Sequence, residues 1–345
     1  MPPDRGATVI IMYASYRDGS VRLTGRWDTS CEVSATTTAT GSYIEFAFEG
    51  SWATAHFDIN SNGSPYAHLW VQLDGGVMTE CPVDMYLKVR AIDGGRHICR
   101  IIYKGGAEAF RRWYAPLRGK ISFCGFTAER PIEIAPDERP TIEFVGDSIT
   151  EGVLTNADFA VGGDKWELDQ LNRGYQDDVC ETYAWKVAER LGLRPIFMGY
   201  GAVGVSKSGQ GSVPAAATAY PYNFDGSPVI RESADYIMIN HGANDRRVTS
   251  EVYLEKYGEL LDLIRRMNPN SEIISLSAFC GAFHEELGRF IAEYNAKNGT
   301  RVAFIDSNGW VPLEPLHPLG DGHTVIADNL EPLLRDVLAG FGADK

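Results

Sequence analysis

Four short segments of this 345-residue chain carry groups that could do chemistry together. Gly146-Asp147-Ser148 supplies a hydroxyl, and Gly199-Tyr200-Gly201-Ala202-Val203-Gly204 supplies glycine N–H groups that can approach a ligand closely. His241-Gly242-Ala243-Asn244-Asp245 supplies an amide, and Glu314-Pro315-Leu316-His317-Pro318 an imidazole. A hydroxyl, a glycine N–H, an amide and an imidazole are the nucleophile, oxyanion donors and general base of acyl transfer through serine. Alone, each segment reads as a turn or a helix cap. Their order carries the signal, together with the fact that each lies at or near the end of an apolar strand-like run.

The elements around them explain that placement. From Thr141, strand-like runs (Thr141–Gly146, Arg194–Met198, Tyr236–Asn240, Glu272–Leu276, Val302–Ile305) alternate with helical apolar spacing at Thr182–Leu191, Val252–Met267, Glu285–Ala296 and His323–Leu338. This alternation predicts a parallel sheet with helices on both faces, an α/β fold whose sites form at the carboxyl ends of the strands. The first third reads differently. Short alternating runs such as Tyr43–Glu49, Ala67–Leu73 and His97–Tyr103 are separated by Asn62-Gly63, Asp74-Gly75-Gly76 and Asp93-Gly94-Gly95. That rhythm predicts a β-sandwich, jelly-roll-like. Ala128–Pro140, with three prolines, reads as the linker, which divides the chain into an accessory domain at 1–135 and a catalytic domain at 136–345.

The second part resembles the SGNH (GDSL-type) hydrolase superfamily over nearly its whole length. Gly146-Asp147-Ser148 looks like the first block of that family. Gly201 sits at the second-block glycine, with Gly199-Tyr200 in place of the usual Asn-Ala. Gly242-Ala243-Asn244-Asp245 matches the GxND block, and Glu314-Pro315-Leu316-His317-Pro318 resembles DxxHP with Glu for Asp. The resemblance implies Ser148 as nucleophile, His317 as base and Glu314 as the acid of a triad. It implies an oxyanion hole from the Ser148 and Gly201 N–H groups and the Asn244 amide. No metal or organic cofactor is implied. A β-sandwich ahead of such a domain is similar to the second carbohydrate-esterase family, whose members remove acetyl groups from xylan and related glycans. The expectation is therefore a serine esterase acting on O-acetylated carbohydrate. A lipid or thioester hydrolase, or a glycan-binding protein with a vestigial hydrolase, are the alternatives. His323, which opens the last helical run, reads as a packing or capping residue rather than the base.

Trp166, in the long segment after Ser148, and Trp310 could stack on a sugar ring, whereas Arg246 and Arg247 read as exposed charges. The net charge is −14, and it lies wholly in the second part, because residues 1–135 hold fourteen basic and fourteen acidic side chains. Such a balance disfavours nucleic acid and anionic membranes as partners and fits a neutral substrate. The six cysteines stand singly, without a CxxC pair, which argues against a zinc site and fits reduced thiols. The first residues do not read as a signal peptide, so a cytoplasmic location is expected. Nothing in the sequence speaks to the oligomeric state.

Overall fold

The structure, a computed structural model, describes residues 11–157 and 173–343. In the first part are the antiparallel strands β1 (Met12–Ser15), β2 (Val21–Thr24), β3 (Ala35–Thr37), β4 (Tyr43–Phe57), β5 (His68–Leu73), β6 (Thr79–Pro82), β7 (Tyr86–Arg90), β8 (Arg96–Gly105) and β9 (Ile121–Pro131). The long β4 joins two leaves. Up to Glu49 it pairs with β2 and β8, from Trp52 onward with β7, and on both sides of the break with β9, at Phe48–Glu49 and again from Ala53. The register shifts between Glu49 and Ala53, around Gly50 with φ +125°, where a Cβ would meet the Glu129 side chain. A bulge of this kind bends a strand and lets it change sheets. Phe46, Phe48, Phe57, Phe123 and Phe126 fill the space between the leaves, and Phe46 stacks on Phe126 with centroids 4.4 Å apart.

Strand β9 runs further than the proline count suggested. Ala128 is buried and pairs with Met12 and Ala53, so the connection to the second part begins only after Pro131. A proline in the last position of a strand costs no ladder bond within it.

The second part is a five-stranded parallel sheet in the order β11-β10-β12-β13-β14, from β10 (Thr141–Gly146), β11 (Arg194–Gly199), β12 (Tyr236–Asn240), β13 (Glu272–Leu276) and β14 (Ala303–Ile305). Its helices are α1 (Ser148–Glu151), α2 (Arg173–Gln176), α3 (Tyr183–Arg190), α4 (Ala216–Ala219), α5 (Ser250–Met267), α6 (His284–Asn298) and α7 (Gly320–Ala343). Strand side chains alternate between the two faces. Val145, Ile237 and Ile239 pack with Tyr253, Tyr257 and Leu261 of α5 and Ile291 of α6. Phe144, Met238 and Ile274 pack with Tyr183 and Val187 of α3 and Ile326 and Leu330 of α7. Burial on both faces accounts for the nearly unbroken apolar strands. No helix among the described residues is long and apolar enough to cross a membrane.

The two parts are joined by buried polar contacts. Arg26 donates from Nε to Glu143 Oε1 at 2.8 Å and from Nη1 to the Tyr220 carbonyl at 2.8 Å, while the Tyr220 hydroxyl donates to Glu143 Oε2 at 2.8 Å. Thr40 donates to the Glu151 carbonyl at 3.0 Å. Gly41, with φ +78°, lies so close to the Phe197 ring that a Cβ would overlap it. Removing one member of a buried ion pair leaves the other charge without compensation, at a cost of about 3–5 kcal/mol. Arg26→Ala should therefore lower the unfolding free energy by about that amount, measured by urea denaturation.

Candidate active site

Strand β10 lies at the point where strand order reverses, with β11 on one side and β12 on the other. The carboxyl ends of these three strands bring the first three segments together, as expected at such a switch point. Ser148 follows β10 after one residue, Asp147, and opens α1, with 6% of its surface exposed. Asp147 caps that helix, its Oδ1 accepting from the Ile149 N–H at 3.0 Å. Gly146 must lack a side chain, because a Cβ there would overlap Thr150 Oγ1.

His317 Nε2 stands 2.8 Å from Ser148 Oγ. Burial, reinforced by the Arg173 charge, pushes this imidazole down to about 4. It is therefore neutral at pH 7 and can accept the serine proton. Asn244, on the loop after β12, donates from Nδ2 to Val203 O at 3.0 Å and lies 3.3 Å from Asp147 Oδ2. The amide is thus held beside the residue that precedes Ser148. Gly242 reaches that loop with φ +141°, a conformation suited to glycine.

Asp245 secures the loop that carries Gly201. It accepts from Ser206 N at 2.8 Å, Ser206 Oγ at 2.5 Å and Val205 N at 3.2 Å. Gly201 itself is packed against the carboxyl of Glu108, and any Cβ at that position would overlap Glu108 Oε2. Burial, with Asp245 and Glu151 adding to it, pushes the Asp147 carboxyl up to about 7.

The fourth segment is split. His317 reaches Ser148, but Glu314 does not join the pair. It is exposed, and the hydrogen bond described for His317 runs to Ser148 and not to Glu314. His323 is buried, stacks on Tyr183 with centroids 6.1 Å apart, and accepts from the Tyr183 N–H at Nδ1 at 3.1 Å. It therefore caps the start of α3, and burial pushes it down to about 3. Trp310 is half-buried against the core between the sheet and α7. Trp166 lies outside the described residues.

Residues of the first part complete the surroundings, and the sequence reading missed them. The segment after β8 buries Glu108 and Arg112. Arg112 is ion-paired with Glu151, the last residue of α1, and both side chains are 1% exposed. Glu108 Oε1 accepts from Arg173 Nη2 at 3.3 Å, and Arg173 Nε donates to Asp177 at 3.0 Å. Lys104 of β8, fully buried, donates to the carbonyls of Gly174, Tyr175 and Asp177 at 2.9, 3.1 and 3.0 Å. Burial and the neighbouring Glu151 charge push Glu108 well above the usual carboxylate range, and burial pushes Asp177 up to about 7. The only sequence signal was a group of charges, Glu108, Arg111 and Arg112, which solvated surface loops also carry. Among the described residues no group of His, Cys, Asp and Glu could hold a metal ion.

The arrangement is a hydroxyl hydrogen-bonded to a neutral imidazole, beside a glycine turn and a fixed amide. It suits attack on an ester carbonyl. The same likeness emerges from comparison with known proteins. A comparison with curated proteins finds no match. Among solved structures, a family two carbohydrate esterase from Cellvibrio japonicus is similar with TM-score 0.79 at 19% identity, over 96% of this chain and 98% of that one. An acetyl xylan esterase from the rumen bacterium Butyrivibrio proteoclasticus gives TM-score 0.77 at 16% identity, over 96% and 99%. A family two carbohydrate esterase from Clostridium thermocellum in complex with cellohexaose gives 0.72 at 19%, over 92% and 99%. The sandwich followed by a parallel sheet is thus a known two-part fold. The GDSL-like lipase/acylhydrolase family matches residues 144–325, a stretch that includes all four segments. The chain belongs to this GDSL-like lipase/acylhydrolase family and is an esterase of the SGNH type.

Proposed function

We propose that this esterase removes O-acetyl groups from carbohydrates through an acyl-serine intermediate. The observation that carries the mechanism is the 2.8 Å contact between Ser148 Oγ and His317 Nε2. His317 takes the serine proton as Oγ attacks the ester carbonyl. The carbonyl oxygen becomes an oxyanion beside the Ser148 N–H, the Gly201 N–H and the Asn244 amide. His317 then protonates the leaving sugar hydroxyl, and water cleaves the acyl-serine by the same route reversed. Glu314 takes no part. What supports carbohydrate as the substrate is the likeness to family two carbohydrate esterases over both parts of the chain, not over the catalytic sheet alone.

Ser148→Ala should abolish acetate release and leave the thermal midpoint within a few degrees of the wild type. Retention of more than a few per cent of activity would sink the nucleophile assignment. Asn244→Ala should lower kcat by about 10²–10³, the usual effect of losing one oxyanion donor. His317→Ala should lose several orders of magnitude in turnover, whereas His323→Ala should lose mainly stability, about 1–3 kcal/mol.

The acyl group is tested with p-nitrophenyl esters from acetate to octanoate, and with acetylated xylan against a lysophospholipid. Preference for acetate and for the glycan is expected. Faster release of long acyl chains would replace this reading with a lipid hydrolase, and no turnover of any ester would leave only glycan binding.

The base is active when neutral, and His317 titrates near 4 rather than near the usual value of about 6.5. The acid limb of kcat/KM for p-nitrophenyl acetate should therefore have its midpoint more than a unit below that of a free histidine. A midpoint at or above 6.5 would contradict the burial of His317 in the free enzyme.

A further inference from the structure

The second part of the chain is strongly acidic, yet one cavity that shares Asn244 with the candidate site is basic. It has a volume of about 670 Å³, and its lining includes Ser206, Lys207, Asn244, Asp245, Arg246 and Arg247. The three cations are exposed, and none forms an ion pair among the described residues. The one acid in the lining, Asp245, is already engaged by three hydrogen bonds from Val205 and Ser206. Three cations against one acid leave the lining with an excess of positive charge, in a chain with fourteen more acids than bases.

Arg246 is also anchored. Its Nε donates to the Ala243 carbonyl at 2.8 Å, while its two terminal nitrogens have no partner among the described residues. A guanidinium fixed at one edge presents a planar fork with less freedom to lose on binding, and that fork matches a carboxylate in two-point contact. Asn244 lines this cavity and is also held beside Asp147, the neighbour of Ser148. The cavity and the candidate site thus share one side chain.

We propose that this cavity is a subsite for a carboxylate on the substrate, so that the preferred substrate is an acetylated glycan bearing uronic acid residues. The inference rests on the carbohydrate-esterase reading above. It concerns one local site, and the acidic surface elsewhere keeps long polyanions from binding indiscriminately.

The test compares acetylated xylo-oligosaccharides of matched length, with and without a uronic acid branch. The wild type should favour the uronate-bearing substrate by about tenfold in kcat/KM at low salt, with the difference in KM. The preference should shrink at roughly 0.5 M salt, because exposed charges are screened. In the Arg246→Gln/Arg247→Gln double variant the ratio between the two substrates should approach one, the neutral substrate serving as the internal reference. Should that variant fail to fold, Lys207→Gln and the salt dependence of the wild-type ratio provide the same reading. Equal turnover of both substrates by the wild type, or a preference that survives the double variant or high salt, would overturn the subsite. Wild-type hydrolysis of p-nitrophenyl acetate is measured alongside. If it proceeds while the uronate preference is absent, only the subsite falls. If no ester is cleaved, the esterase reading falls and the subsite with it.

Discussion

The pair of Arg112 and Glu151 is the constraint on which the reaction centre depends. Glu151 closes the single turn of helix that Ser148 opens, and Arg112 comes from the loop after β8. Both charges are out of water, so each requires the other. The serine is thus held in place by a residue of the opposite part of the chain. Glu108 and Lys104 extend the same arrangement, one packed against the Gly201 turn and the other clamping residues 174–177. Three buried acids, Glu108, Glu151 and Asp177, face two arginines, Arg112 and Arg173. Burial is the main cause of the raised values of Glu108 and Asp177, and the neighbouring Glu151 charge adds to it.

Several residues of the four segments act on their neighbours in the protein. Asp147 caps α1 and lies within reach of Asn244, and Asp245 fixes the loop that carries Gly201. His323 accepts the free N–H at the start of α3. A centre that must stabilise charge as it develops needs its donors fixed beforehand, because reorienting them during the reaction would cost part of the stabilisation. Asp147 and Asp245 provide such fixing for the Asn244 amide and the loop that carries Gly201.

The sequence was informative where local pattern determines structure. Alternation in Tyr43–Glu49 and the unbroken apolar strands from Thr141 onward distinguished the two sheets, because side-chain period and burial on one or two faces leave a mark on composition. The strand ends then located Ser148, Gly201 and Asn244. It was uninformative where a residue's environment comes from a distant segment. Arg112 is 39 positions from Glu151 and Glu108 is 65 from Arg173, so nothing near them in sequence marks them as buried. Glu314 failed for the converse reason. It has the right type and offset from His317, but the backbone between them leaves it in water. The prolines after Ala128 suggested an early end to β9, whereas cross-strand pairing carries it to Pro131.

The placement of the loop after β8 also bears on how such a chain can be inherited. Were the two parts independent modules, recombination could exchange the sandwich for another fold and leave the catalytic sheet working. Here an exchange would strand Glu151 and Glu143 as lone charges in the interior and remove the carboxyl packed on Gly201. The interface therefore favours descent as one piece. Substitutions on its two sides are expected to be tolerated in pairs rather than singly.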